Sequence, residues 1–222
     1  EQLPPGELAV YLNDYFETQA APLKKYGVHV TEFRADAIMC AWTADQPSPE
    51  PRRQALLAAL EAGEAIKDFK RRHPTAEGKL RIGLEAGTVY VGHAGGGGRF
   101  VYSIVGDSAN TASRVEGLNK HVGTQILATG DVVEGFENLA TRYLGAFQFV
   151  GKTEATPIYE VMALRERATD EQLALRDAFK GAMLHYEQGD WQSSAEELEN
   201  VLVEFPDDGP AKFLLARCRR FI

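Results

Sequence analysis

The clearest candidate chemistry lies in the polar residues of the run Ile104–Arg114. If residues 108 onward form a helix, Asn110 and Arg114 are four residues apart and share one helix face. An amide and a guanidinium that project together suit a polyphosphate on which negative charge develops during a reaction. The same spacing is also common on the water-facing side of an ordinary amphipathic helix. This segment alone therefore leaves both interpretations open.

Two further polar residues stand in short connections. Asp36 lies in the turn between two strand-like segments, residues 28–33 and 37–42, which together predict a β-hairpin. Lys152 lies between two short predicted strands, residues 147–150 and 157–161. An aspartate in a turn and a lysine at a strand end are ordinary surface residues, so neither position indicates a site by itself.

The predicted helices and strands around these residues indicate an α+β fold. Apolar residues recur at helical spacing over residues 5–20 and 52–72, and a further helix is expected from about residue 107 to residue 118. Strand character marks residues 80–91 (interrupted at Gly87), 100–105 and 126–128. The four glycines at 95–98 read as the tip of a hairpin rather than as a phosphate-binding loop, since no helix follows them directly.

Residues 165–222 form a predicted second, helical domain after residues 1–164: residues 165–170 are a charged boundary, and the pattern after them is helical. Two helices, about 171–188 and 192–205, are followed by a third that begins after residue 209. This arrangement resembles a tetratricopeptide hairpin, in which Gly189, Trp191 and Pro206 fall at suitable positions. One such unit cannot bury its own apolar face. The tail is therefore expected to dock on the main domain or to continue a helical array across an oligomer.

Composition excludes several classes of protein. The 24 basic and 32 acidic residues give a net charge of −8, which argues against a nucleic-acid partner or an anionic membrane surface. Two cysteines cannot build a disulfide framework, which favours a reducing, cytoplasmic location. No apolar run approaches the ~20 residues of a membrane helix, and no signal peptide opens the chain. The first residues read like the middle of a longer protein.

Four segments resemble the class III nucleotidyl cyclases, the adenylate and guanylate cyclases, and they follow one another in the family's order. They are Ala35–Met39, Arg81–Gly87, Gly106–Arg114 and the closing stretch 144–161 with its Gly151-Lys152-Thr153. Each motif is weak alone, but four in register over roughly residues 1–163 are specific. The resemblance implies a ferredoxin-like sheet with flanking helices, working as a head-to-tail homodimer with active sites at the subunit interface.

The family's reaction turns GTP or ATP into a 3′,5′-cyclic nucleotide and pyrophosphate. It uses two divalent ions, Mg²⁺ or Mn²⁺, held by two aspartates. Carried over by position, the resemblance makes Asp36 a metal ligand and Asn110 the residue that positions the ribose. It makes Arg114 the residue that stabilises the transition state, and Lys152 a contact of the terminal phosphates.

The family reads the purine base from two positions that hold Glu32 and Ser103 in this chain. A carboxylate can accept hydrogen bonds from the N1–H and amino group of guanine, whereas N1 of adenine is an acceptor. Glu32 therefore favours GTP, although it could equally be a surface strand residue. Its neighbours Arg34 and Ala35 replace an apolar residue and a glycine of the family pattern.

Three interpretations follow. The first is a purine nucleotide cyclase domain, in a parent protein with a possible upstream membrane or sensor domain. The family's other metal aspartate would lie in a strand before the opening helix, which is not present, so this fragment alone is expected to be inactive. The second is an inactive cyclase-like module for dimerisation or nucleotide binding in signalling. The third, weaker, is a tetratricopeptide scaffold in which the tail is the working part.

Overall fold

The computed structural model describes residues 4–74, 79–96 and 98–222. The chain forms two compact units. The N-terminal unit holds Glu1–Leu80 and Gly87–Asn110, and the C-terminal unit holds Arg81–Ala86 and Thr111–Ile222. No helix in the described ranges has the length and apolar content needed to cross a membrane.

The N-terminal unit combines two helices with two antiparallel hairpins. Its elements are α1 (Pro5–Lys25), β1 (Val30–Arg34), β2 (Ala37–Ala41), α2 (Glu50–Arg72), β4 (Tyr90–Gly96) and β5 (Arg99–Val105), with β3 (Ile82–Leu84) belonging to the other unit. Helix α2 buries an apolar stripe that includes Leu56, Ile66 and Phe69, and Tyr11 and Tyr15 of α1 meet the Phe69 ring edge-on. The two predicted hairpins are confirmed, although Gly97 lies outside the described residues.

The C-terminal unit is built on a four-stranded sheet in the order β3-β6-β8-β7. Its further elements are α3 (Asp107–Val122), which begins in the other unit, β6 (Ile126–Thr129), α4 (Gly130–Val133), β7 (Leu139–Phe147) and β8 (Thr156–Leu164). Strand β6 runs parallel to β3, while β8 is antiparallel to both β6 and β7. The mixed sheet with its helices confirms the predicted α+β class.

Gly83 explains why β3 can lie directly against α3. A Cβ placed on Gly83 would come within 2.2 Å of the backbone nitrogen of Glu116 and 2.4 Å of the Ala112 carbonyl oxygen. No side chain fits at that distance, so only glycine permits the contact. Gly83, which belongs to the predicted Arg81–Gly87 motif, therefore sets the spacing between β3 and the helix that carries Arg114.

The three tail helices are α5 (Asp170–Glu187), α6 (Trp191–Glu204) and α7 (Gly209–Cys218). They share one apolar core with the sheet and α3. This core contains Val115, Leu127, Leu144 and Ile158 from the sheet side, and Phe179, Met183, Leu198 and Leu214 from the tail. The tail therefore docks on the sheet, the first of the two expected arrangements. The tetratricopeptide likeness and the domain division at residue 164 stay predictions.

A buried ionic cluster also joins the tail to the sheet. Arg142 of β7 is 3% exposed and donates to Glu160 of β8 at 2.6 Å and to Asp208 at 2.8 Å. The Asp208 carboxylate also caps α7 by accepting from the backbone N–H of Ala211. The guanidinium lies 4.8 Å from the centre of the Phe179 ring of α5. One side chain thus connects two strands and two tail helices.

The predicted strand at residues 147–150 is wrong. Strand β7 covers Leu139–Phe147, and residues 148–150 lie outside it. The sequence pattern misleads here because Arg142 interrupts an otherwise apolar stretch, which reads as a surface segment. The carboxylates of Glu160 and Asp208 satisfy that charge inside the fold, so the arginine is buried within a strand.

Candidate functional site

Helix α3 carries the two residues that the sequence singled out first. Asn110 is exposed in the first turn, where its backbone N–H donates to the Gly106 carbonyl. Arg114 follows one turn later and is half-buried. The predicted helix and the spacing of the two side chains along it are confirmed. The roles assigned to them stay predictions.

The structure places Arg114 next to the loop that contains Lys152. This loop connects β7 to β8, and its Gly151 has a φ of +83°, a conformation that glycine adopts without strain. A Cβ built on Gly151 would lie 3.9 Å from Nη2 of Arg114. The guanidinium therefore lies beside the backbone of the residue that precedes Lys152. Arg114 of α3 is thus adjacent to the β7–β8 loop in which Lys152 stands.

Glu85 is an acidic residue within electrostatic reach of Lys152, and the sequence did not indicate it as functional. Burial raises the pKa of its carboxyl, and the nearby negative charge of Asp131 acts in the same direction, whereas the charge of Lys152 opposes it. Within the described residues, Oε2 of Glu85 is buried without a hydrogen-bond partner. The signal that could have found it is its place in the Arg81–Gly87 motif; in the structure it directly follows β3.

Glu32 and Ser103, which are 71 positions apart in the chain, lie together. The Ser103 hydroxyl donates to Oε2 of Glu32 at 2.8 Å. Arg34, two residues after Glu32 on β1, donates from Nε to Oε1 at 2.7 Å and from Nη2 to Oε2 at 3.2 Å. The Arg34 bond and then the Ser103 bond hold the pKa of Glu32 below its usual value. Glu32 is therefore a paired carboxylate rather than a loose surface residue.

Asp36 lies exposed in the turn between β1 and β2. The turn needs a left-handed residue, and Ala35 supplies it with a φ of +53°. Across the ranges that the structure describes, no group of three or more His, Cys, Asp or Glu side chains is placed to hold a metal ion. One exposed carboxylate does not make a two-ion centre. The described residues of this chain therefore do not fit a complete metal site.

The sequence matches a known family over most of this region. The family described as "Adenylate and Guanylate cyclase catalytic domain" matches residues 1–159. The chain therefore belongs to the adenylate and guanylate cyclase catalytic-domain family.

Individual relatives agree with this assignment. The chain is 32% identical to adenylate cyclase 1 of Rhizobium meliloti over 72% of this chain and 25% of that protein. It is also 32% identical to an adenylate cyclase of Anabaena cylindrica over 73% of this chain and 34% of that protein. The chain thus spans a quarter to a third of the length of these curated relatives.

A solved structure shows the same fold. The crystal structure of the adenylyl cyclase CyaB from P. aeruginosa aligns with a TM-score of 0.65 at 21% identity, covering 76% of this chain and 88% of that one. At this identity the likeness supports the α+β architecture of the chain and leaves its substrate open.

Proposed function

We propose that this chain is the catalytic region of a purine nucleotide cyclase, which forms a 3′,5′-cyclic nucleotide and pyrophosphate from GTP or ATP. The observation that carries the proposal is the position of the Arg114 guanidinium beside Gly151, next to Lys152, with Asn110 one turn away on the same helix. Family membership supplies the reaction class, and the two curated relatives named above are adenylate cyclases.

Each side chain has a chemical task in this proposal. The planar guanidinium of Arg114 carries a permanent charge and several fixed donors, which suit the charge that develops on the α-phosphate as the 3′-oxygen attacks. Lys152 offers a point charge to the terminal phosphates, which leave as pyrophosphate. The Asn110 amide can donate to and accept from ribose oxygens, and so orients the attacking hydroxyl.

Divalent cations enter the proposal as a family property. Mg²⁺ or Mn²⁺ would lower the pKa of the attacking hydroxyl and offset phosphate charge when bound. We assign Asp36 as one carboxylate ligand. Among the described residues, no group of three or more His, Cys, Asp or Glu side chains completes a two-ion site.

The proposal includes assembly and context. A homodimer is the working form expected from the family resemblance. We propose that the parent protein carries an upstream membrane or sensor domain. The tail, residues 165–222, is proposed as a helical domain that supports the sheet under the Arg114 and Lys152 region, because its helices share a core with that sheet.

One alternative function has a specific observation in its favour. A catalytically inactive cyclase-like module would bind nucleotide or dimerise to relay a signal without cyclising anything. The exposed, single carboxylate at Asp36 and the lack of a metal-holding group among the described residues favour it. It differs from the enzyme in one outcome: nucleotide would bind and no cyclic product would form.

The test is product identification. The full-length protein is incubated with Mg²⁺ or Mn²⁺ and, separately, with GTP, ATP, CTP and UTP, and the products are identified by mass spectrometry. The proposal predicts a cyclic purine nucleotide together with pyrophosphate. Arg114→Ala should lower its rate of formation by about 10²-fold or more, while the control Arg219→Ala, which removes an exposed arginine paired with Glu199 on the tail, should not. Nucleotide binding without any cyclic product would favour the inactive module.

A further inference from the structure

The carboxylate of Glu32 is already occupied by groups of this chain. Oε1 accepts from Nε of Arg34, and Oε2 accepts from Nη2 of Arg34 and from the Ser103 hydroxyl. A carboxylate has about four lone-pair positions, and these donors take most of them. Glu32 cannot pair with two donors of a base unless Arg34 leaves it.

Part of the Arg34 guanidinium is not used by its bonds to Glu32. Its bonds to Glu32 use Nε and one N–H of Nη2, the side-on edge of the guanidinium. The remaining end-on edge consists of Nη1 and the second N–H of Nη2. The Nη2 atom also lies 3.5 Å from Oγ of Ser103, at the limit of a hydrogen bond. In the part of the chain that the structure describes, Nη1 has no hydrogen-bond partner, and the side chain is 51% exposed.

The bond to Glu32 also fixes the Arg34 guanidinium in position for binding a ligand. A free arginine side chain loses considerable rotamer entropy when it is fixed. Here the paired carboxylate, only 16% exposed, holds the guanidinium plane before any ligand arrives. Because less entropy is lost on binding, the end-on edge can act as a prepared pair of parallel donors.

A pair of parallel guanidinium donors matches one purine edge well. Guanine presents two acceptors, O6 and N7, side by side, and arginine binds them bidentately. Adenine presents the N7 acceptor next to the N6 amino group, which is a donor and opposes a guanidinium. The chemistry of this group therefore selects guanine through a different edge from the N1–H and amino group that a free Glu32 would read.

We propose that Arg34, held by Glu32, is the specificity-determining residue of this chain and reads the O6 and N7 edge of GTP. Glu32 and Ser103 then position Arg34 and do not contact the base as donors or acceptors of their own. This inference rests on the proposed function, because it deepens the assignment of the Glu32 and Ser103 region as the base-reading part of a purine nucleotide site.

Two base analogues separate the possible readers. In 7-deaza-GTP the N7 acceptor is absent, while inosine triphosphate keeps O6, N7 and N1–H and lacks only the 2-amino group. Binding of each to the full-length protein is measured by displacement of a GTP analogue labelled on the ribose, which needs no turnover. We expect 7-deaza-GTP and ATP to bind about tenfold more weakly than GTP, and inosine triphosphate to bind within about threefold of GTP.

The Arg34→Met variant should reverse this profile. Methionine has similar length and no donors, so it releases the Glu32 carboxylate to accept from the N1–H and 2-amino groups of guanine. In the variant, inosine triphosphate should bind more weakly than GTP, and 7-deaza-GTP should bind equally. Arg34→Lys keeps the charge without the planar fork and should lose the N7 preference. The control Arg53→Met, which removes an exposed arginine paired with Glu50 at 3.5 Å, should keep the wild-type profile.

The outcomes distinguish recognition of the base by Arg34 from the proposed cyclase function. If wild-type protein discriminates against inosine triphosphate and accepts 7-deaza-GTP, or treats all purine triphosphates alike, Arg34 does not read the base and the inference is overturned while the proposed function stands. If no nucleoside triphosphate displaces the probe, the proposed function itself fails.

Discussion

Replacing Arg142 with methionine removes the charge at the centre of the buried ionic cluster while keeping most of the apolar stem against Phe179. The side chains of Arg142, Glu160 and Asp208 are 2%, 17% and 5% exposed, so the two carboxylates would be left buried without their cation. Loss of one partner of a buried ion pair costs about 3–5 kcal/mol. For a chain of this size that corresponds to a fall in Tm of about 10 °C.

The assay is urea and thermal unfolding of the Arg142→Met variant beside Arg219→Met. Arg219 is 62% exposed and pairs with Glu199 at the surface, so its loss should change the free energy of unfolding by less than about 0.5 kcal/mol. Adding Glu160→Gln to Arg142→Met should recover part of the loss, because one uncompensated charge is removed. A change below about 1 kcal/mol for Arg142→Met would refute the reasoning that this cluster fastens the tail to the sheet.

The sign of the pH dependence is also fixed by the cluster. Burial raises the pKa of Glu160, while the Arg142 charge opposes that rise. Without Arg142 the pKa of Glu160 should rise further, so the folded variant binds a proton more tightly than the unfolded chain does. The variant's deficit should therefore be largest near neutral pH and should shrink as the pH falls through that raised pKa.

Three further substitutions test the C-terminal unit, the β1–β2 turn and the buried Glu85 carboxyl. Gly209→Ala places a Cβ 2.5 Å from the Val122 carbonyl oxygen and 2.7 Å from the Gly123 Cα, so it should destabilise the C-terminal unit by about 1–3 kcal/mol in urea unfolding. If the variant were as stable as the wild type, α7 would not lie this close to α3. Ala35→Gly relieves a left-handed alanine and should raise the free energy of unfolding by about 0.5 kcal/mol, whereas a loss would mean that the turn differs. Because the pKa of Glu85 is raised in the folded state, its protonation stabilises the fold below its ordinary pKa of 4.5, and this stabilisation is lost as pH rises through the raised pKa. Thermal scans of Glu85→Gln at a series of pH values should therefore lack this loss of stability. Identical pH profiles for variant and wild type would contradict the prediction.

Helices and hairpins followed from local pattern because each of them depends on nearby residues. The apolar spacing over residues 52–72 and the turn at 34–36 predicted α2 and the β1–β2 hairpin close to their observed limits. Strand β7 did not follow, since its buried Arg142 depends on Glu160 and on Asp208, which is 66 positions further along the chain. No local pattern carries that information.

The candidate site divides in the same way. Asn110 and Arg114 could be placed on one face of a helix from spacing alone. The resemblance paired Glu32 with Ser103, but the bidentate bond from Arg34 depends on side-chain geometry on β1, which residue types do not determine. Glu85 was missed because its burial depends on packing within the C-terminal unit.

If Arg114 and Lys152 act on one triphosphate, a double-mutant cycle in turnover measures the coupling between them directly. Arg114→Ala, Lys152→Ala and the double variant of the full-length protein are compared in kcat and KM for the preferred purine triphosphate. We expect Arg114→Ala to lower kcat by about 10²-fold or more, Lys152→Ala mainly to raise KM, and the double variant to lose less than the product of the two effects. Wild-type turnover in Arg114→Ala, or strictly multiplicative losses in the double variant, would contradict the claim.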